Sequence, residues 1–119
     1  MAQSSTQTVG LASLDGKLRT IVAELRQRLG VLYGDRLVKM FLYGSQARGD
    51  ARPWSDIDVL LVLRGAVRIG SEIARTEVVL GDLSLKYNVV ISCQYAEEDR
   101  FLRGDGPLLE NVRREGIEV

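Results

Sequence analysis

Apolar side chains recur at Leu14, Leu18, Ile21, Val22, Leu25, Leu29 and Leu32, the three-and-four spacing of one helical face. Arg19, Glu24, Arg26 and Arg28 fall on the other side, so the pattern predicts an amphipathic helix capped by Ser13 and ended by Gly34. Beyond it the period changes. Leu37 to Tyr43 is a dense apolar run broken only by Lys39, short enough for a buried strand, and Gly44 stops it. The polar stretch Ser45 to Ser55, with Gly49 and Pro53, has room for one helical turn. Asp56 to Leu63 predicts a second strand whose almost wholly apolar far end belongs at the centre of a sheet. Gly70 to Tyr87 suits a helix with Ile73, Val79, Leu80 and Leu83 inward, Gly81 being its weak point. Asn88 to Tyr95 predicts a third strand. Gly104 to Gly106 makes a turn, Pro107 opens a last short helix through Arg114, and Gly116 closes it.

Helix, strand, strand, helix, strand, helix is the order of a small mixed α/β domain over residues 14–119, its helices packed on a sheet of three to four strands. Residues 1–13, rich in Ser, Thr and Gln, are expected to form a flexible lead-in. A chain of 119 residues holds one such domain, and 45% apolar residues suffice for its core. Sixteen basic residues balance sixteen acidic ones, which argues against stable nucleic-acid binding. Without histidine, and with Cys93 as the single cysteine, an internal disulfide, His-based acid/base catalysis and most zinc sites drop out. Hard oxygen ligands remain. No apolar run reaches the roughly 18 residues of a membrane helix, so the expectation is a cytoplasmic protein with no membrane association.

Chemistry concentrates in LYGSQARGDARPWSDIDVLLVL. Asp56 and Asp58 lie two apart at the start of a strand, so alternation puts both carboxylates on one face and turns Ile57 into the core. Two ionised carboxylates held close repel each other and ask for a cation. Magnesium answers that need, because it takes one or two carboxylates and leaves its other positions to water and phosphate. If the first two strands pair antiparallel, Gly44 and Ser45 come beside the acidic pair. Gly44 then permits a close backbone approach, Ser45 offers a hydroxyl and an N–H, and a short helix beginning there adds further N–H groups. Each motif also has a plain reading: Asp residues leaving a solvated turn, and a turn with a helix cap.

Gly44-Ser45, ten residues, then Asp56-Ile57-Asp58 resembles the G-S-x10-D-x-D signature of the DNA polymerase β-like nucleotidyltransferase superfamily, in its minimal, stand-alone branch. Ala47-Arg48-Gly49 and Ser55 extend the likeness, which runs from the first helix to the third strand. The resemblance implies the polymerase β-like nucleotidyltransferase fold and transfer of a nucleoside monophosphate, AMP from ATP foremost, to a hydroxyl acceptor with Mg2+. It implies metal ligation and catalysis by Asp56 and Asp58, and contact with the triphosphate by Gly44 and Ser45. Arg48 is a candidate for a further phosphate contact, or else a surface ion pair. Many members of the branch resemble the smaller partner of a helical HEPN protein and act as antitoxins that attach AMP to a partner tyrosine. The partners implied are thus ATP and a HEPN-type protein; self-association into a homodimer is left open.

One departure stands out. Active members carry a third carboxylate on the third strand, but here that strand reads NVVISCQY. Ser92 is the closest stand-in and Asn88 the second. A neutral ligand leaves the site one charge short and without a base, so the alternative function is a weakened or inactive nucleotide-binding antitoxin that inhibits by contact. Glu97, Glu98 and Asp99 fit the first turn of a helix better than a metal site. Lys86 and Tyr87 are expected at the sheet edge, solvated and packed respectively, Trp54 either stacks on a base or covers the sheet end, and Cys93 is a small buried hydrophobe.

Overall fold

A computed structural model describes residues 14–52, 55–104 and 106–119. The first amphipathic pattern becomes helix α1, Gly16–Tyr33. Ser13 lies outside the described residues; the side chain of Asp15 caps the helix, its Oδ1 accepting the Leu18 N–H at 2.8 Å. Gly34 ends it with φ 56°, a conformation open to glycine. Leu18, Ile21, Val22, Leu25 and Leu29 are buried as expected, but Leu32 is 37% exposed and Tyr33 is buried instead. Tyr33 can turn inward because its hydroxyl donates to Glu72.

A 3-10 turn, Gly34–Arg36, leads into strand β1, Leu37–Tyr43, and the short helix α2, Ser45–Arg48. Strand β2 is Ile57–Leu63, helix α3 Ile69–Tyr87 and strand β3 Ile91–Glu97. Two short helices follow, α4 over Glu98–Arg103 and α5 over Pro107–Glu115, and then a two-residue strand β4, Ile117–Glu118. The sheet has the order β3-β2-β1-β4. β1 pairs antiparallel with both β2 and β4, while β2 and β3 run parallel, joined by the crossover helix α3.

Val59, Leu60, Leu61, Val62 and Leu63 have no exposed surface, which makes β2 buried on both faces. On one face α1 and α3 close the larger core around Val59, Leu61, Met40 and Leu42. On the other, α4 and α5 bring Phe101, Leu109 and Val112 onto Leu60, Val62 and Phe41, with Phe41 and Phe101 stacked at 5.2 Å. The two-sided cover is why the β2 sequence is an unbroken apolar run.

Three expectations shift. Gly81 does not interrupt α3, but the inward face of that helix is Glu72, Thr76, Val79 and Leu83, and Ile73 is 52% exposed. The two buried polar residues are satisfied. Glu72 accepts from Tyr33 at 2.8 Å and Arg36 at 3.4 Å, and the Thr76 hydroxyl shares a 2.6 Å bond with Tyr95. The third strand begins at Ile91 rather than Asn88, because Asn88 takes the left-handed conformation that stops α3. The chain also adds β4, too short to show a period, whereas α4 begins at the acids expected to open a helix. No helix among the described residues is long and apolar enough to cross a membrane.

Truncating Leu61→Ala removes a fully buried side chain from the doubly covered strand and should lower the unfolding free energy by about 3 kcal/mol in urea titration. Leu85→Ser, at a position 86% exposed, should change it by under about 0.5 kcal/mol. Equal losses would contradict the burial described.

Candidate active site

β1 ends where β2 and β3 begin, so the topology brings three strand termini to one edge of the sheet. Tyr43 pairs with Asp58, and Asp58 pairs with Ser92. Side-by-side strand neighbours share a face, which makes Tyr43, Asp58 and Ser92 a row. Ile57 points the other way and is 2% exposed, as the alternation requires. Asp58 is half-buried and Asp56 exposed.

Gly44 is the residue after Tyr43, and its φ of 76° lies where side chains are strained. A Cβ there would stand 2.6 Å from the Oδ2 of Asp58. Backbone therefore touches the carboxylate directly. The Gly44 carbonyl accepts the N–H groups of Ala47 and Arg48 at 3.1 and 3.0 Å and so opens α2, and Gly49, with φ 84°, closes it. The connection back to β2 is tied down: the Gln46 amide donates to the Ser55 carbonyl at 3.2 Å, and the Ser55 hydroxyl accepts the Arg52 N–H at 2.9 Å. These bonds fix the approach of Asp56 and Asp58 to the glycine turn.

Burial, and then the charge of Asp56, push the Asp58 carboxyl above its ordinary value, while Arg48 pulls it partly back. Burial and the neighbouring Asp58 raise the Tyr43 phenol to about 12, which keeps it a neutral hydroxyl. Arg48 itself is 46% exposed and pairs with Asp50 and Glu115, each at 3.2 Å. Among the described residues no three metal-ligating side chains of Asp, Glu or Cys gather at one point. What remains is a pair of hard oxygen donors, of which Asp58 has its charged form disfavoured by burial and by Asp56. Such a pair suits a divalent cation that draws its other ligands from water or phosphate.

Ser92 stands beside Asp58, and its face of β3 continues with Gln94 and Ala96, so no acid enters there. Asn88 caps α3 outside the strand. Glu97 ends β3, five residues and about 16 Å beyond Ser92, where its carboxylate accepts the Val67 N–H. Glu98 and Asp99 form the first turn of α4, as the sequence suggested. Lys86 and Tyr87 both bind Glu24 of α1, Lys86 at 3.0 Å and Tyr87 at 2.5 Å. Trp54 lies outside the described residues. Cys93 packs against the larger core, where burial pushes its thiol up to about 12. Two residues at this edge were not singled out by sequence: Tyr43, legible only through strand pairing, and Glu115, which carries no sequence signal at all.

Residues 18–113 match the family described as "Nucleotidyltransferase domain". Two proteins of Methanocaldococcus jannaschii, each named "Putative protein adenylyltransferase", are 32% identical to the chain over 72 and 95 residues. The first match takes in 60% of this chain and 72% of the relative; the second takes in 77% of this chain and 64% of the relative. The crystal structure of a toxin-antitoxin with AMP-PNP resembles the chain with a TM-score of 0.56 at 16% identity, over 83% of this chain and 69% of that one. A mutant of the toxin-antitoxin MntA-HpeT gives 0.51 at 17% identity, over 79% and 70%. At these identities the structural likeness is one of fold. The family match covers most of the sequence, and the chain belongs to the nucleotidyltransferase domain family.

Two substitutions test the geometry without reference to activity. Gly44→Ala should cost about 1–2 kcal/mol through its positive φ and push the Asp58 carboxylate aside, readable as shifted resonances at Asp58 and Ser92. Asp58→Asn should melt a few degrees above wild type at pH 7 without metal. The sign follows from the raised carboxyl: the folded state holds the proton better than the unfolded one, so the stability it lends is present below the ordinary 3.8 and lost as pH rises through the folded value. The advantage of Asp58→Asn should therefore vanish in acid. A variant less stable than wild type at pH 7 would contradict this account.

Proposed function

We propose that this member of the nucleotidyltransferase domain family transfers AMP from ATP to a hydroxyl on a partner protein, with Asp56 and Asp58 holding magnesium and Gly44, Ser45 and Arg48 receiving the triphosphate. The observation that carries this reading is the approach of Gly44 to Asp58, so close that a Cβ would lie 2.6 Å from the carboxylate. A glycine turn pressed against paired acids leaves no side chain between the backbone and whatever the carboxylates hold. In the reaction the acceptor oxygen forms a bond to the α-phosphorus and loses its proton to water, the bond from that phosphorus to the bridging oxygen breaks, and pyrophosphate leaves. Magnesium, when bound, neutralises the phosphates and polarises the reacting phosphorus.

The chain's own residues orient and exclude rather than move protons. Gly44 and the backbone of α2 set the floor, Tyr43 keeps a neutral hydroxyl beside Asp58, and Arg48 is the cation this reading gives to a phosphate oxygen. Names of relatives lend support: two are called protein adenylyltransferases, and the two solved structures are of toxin-antitoxin systems, one with AMP-PNP. The resemblance of the Gly44-Ser45 and Asp56-Ile57-Asp58 motif to the minimal branch extends the proposal to a partner tyrosine as acceptor, in an antitoxin's pairing with a HEPN-type helical protein in the cytoplasm.

Ser92 favours a second reading. It stands beside Asp58, and this reading takes it as the stand-in for a third acid; a neutral hydroxyl does not collect an acceptor's proton at pH 7. A nucleotide-binding antitoxin with slow or no transfer accounts for that residue.

Titration calorimetry with Mg-ATP should show binding that Asp58→Asn weakens at least tenfold and Asp99→Asn leaves unchanged, because Asp99 sits at the far end of β3. Chelator-insensitive binding, or equal losses in the two variants, would defeat the assignment.

The two readings separate at Ser92→Asp. A restored carboxylate should speed transfer of labelled AMP to the partner, by about 10–100-fold, and lower the melting temperature in chelator with recovery in magnesium. Wild-type transfer at about one per second would exclude the binding-module reading.

A further inference from the structure

Arg48 owes its position to a part of the chain remote in sequence. Helix α5 ends at Glu115, and Gly116 turns the chain into β4, which pairs Ile117 with Leu42 and Glu118 with Phe41. One step further along that antiparallel register Gly116 falls opposite Tyr43, and Glu115, the last residue of α5, precedes it at the α2 end of β1, on the side away from β2. The turn has little freedom. The Gly116 N–H donates to the Val112 carbonyl at 2.7 Å, and a Cβ on Gly116 would lie 2.5 Å from the same oxygen. The Glu115 side chain, 20% exposed, accepts from Nη1 of Arg48 at 3.2 Å, while Asp50 accepts from Nε at 3.2 Å.

Together these bonds hold two of the three guanidinium nitrogens, and among the described residues Nη2 has no hydrogen-bond acceptor. The held charge is felt at the acidic pair, since Arg48 lowers the Asp58 carboxyl. An exposed ion pair of this kind contributes little to stability, so its consequence is geometric. A long side chain that is already ordered loses less freedom when it meets a ligand.

We infer that Glu115 is a positioning residue that holds Arg48 toward the Asp58 edge of the sheet, so that the α5–β4 segment completes the triphosphate-binding side of the site. The inference rests on the nucleotide reading proposed above. Its own structural half, that Glu115 orders Arg48, is separable from it.

The 119-residue chain is compared as wild type, Glu115→Ala, Glu115→Gln, Arg48→Ala and the double variant Glu115→Ala/Arg48→Ala. Without nucleotide, the Arg48 Nη1 proton resonances should be sharp and slow to exchange in wild type, lost in Glu115→Ala and partly kept in Glu115→Gln, which retains an accepting oxygen, while the Nε–H held by Asp50 stays. Melting temperatures should stay within a few degrees. With Mg-ATP, the Kd should rise about fivefold in Glu115→Ala and about tenfold in Arg48→Ala, and the double variant should match Arg48→Ala. Unchanged Arg48 Nη1 resonances in Glu115→Ala, losses that add in the double variant, or tighter binding once Glu115 is removed would each overturn the role of Glu115. Wild type that fails to bind Mg-ATP while Arg48 still depends on Glu115 would overturn the nucleotide reading, and with it the functional half of this inference.

Discussion

The stretch Val59 to Leu63 sheds every contact with water, and the rest of the molecule is arranged around that exclusion. A strand buried on both faces must be flanked by strands that satisfy its backbone and covered by helices above and below. β1 and β3 flank it, α1 and α3 cover one face, and α4 with α5 cover the other. Polar chemistry can then enter β2 only where it emerges from the cover. That place is its first turn, where Asp58 is half-buried and Asp56 exposed.

Placement at this rim sets the electrostatics. Deeper burial of Asp58 would drive its carboxyl neutral, and full exposure would let water screen it from Asp56 and from any cation. Partial burial leaves a carboxylate that ionises reluctantly and gains by binding a cation. Gly44 presses backbone against one side of it and Ser92 stands on the other, so the carboxylate has few directions to turn. The same arrangement carries a cost in the metal-free protein, a trade between stability and function that active sites often show.

Away from this edge, polar groups within the core are closed on themselves. Tyr33, Glu72 and Arg36 bind one another, with Arg36 and Arg75 each within 6 Å of the Tyr33 ring, at 5.6 and 5.8 Å. Thr76 and Tyr95 form a second contact from α3 to β3. These bonds lock the crossover helix against α1 and β3, and no buried side-chain polar atom among the described residues lacks a partner. The open edge at Asp58 thus sits on a frame with little slack, which is what a site requiring fixed geometry needs.

Local periodicity alone was enough to place α1, β1, β2, most of α3 and α5, and the spacing Gly44-Ser45 to Asp56-Asp58 pointed to one chemical locus. Such features are legible because one element's burial writes its own period into the sequence. Where a buried position is polar, that signal inverts. Glu72 and Thr76 read as solvent-facing until Tyr33, Arg36 and Tyr95 are brought to them, and Ile73 reads as core until the helix is rotated by those contacts. β4 is too short to carry any period. Ser92 was reached by matching positions along a strand, but its place beside Asp58 is a matter of register between strands. Glu115 lies 67 positions from Arg48 and meets it only because β4 returns along β1. Sequence by itself determined the elements and the residue types able to hold a cation, since both are local properties; which side chains stand around that point was decided by long-range pairing, which leaves no local trace.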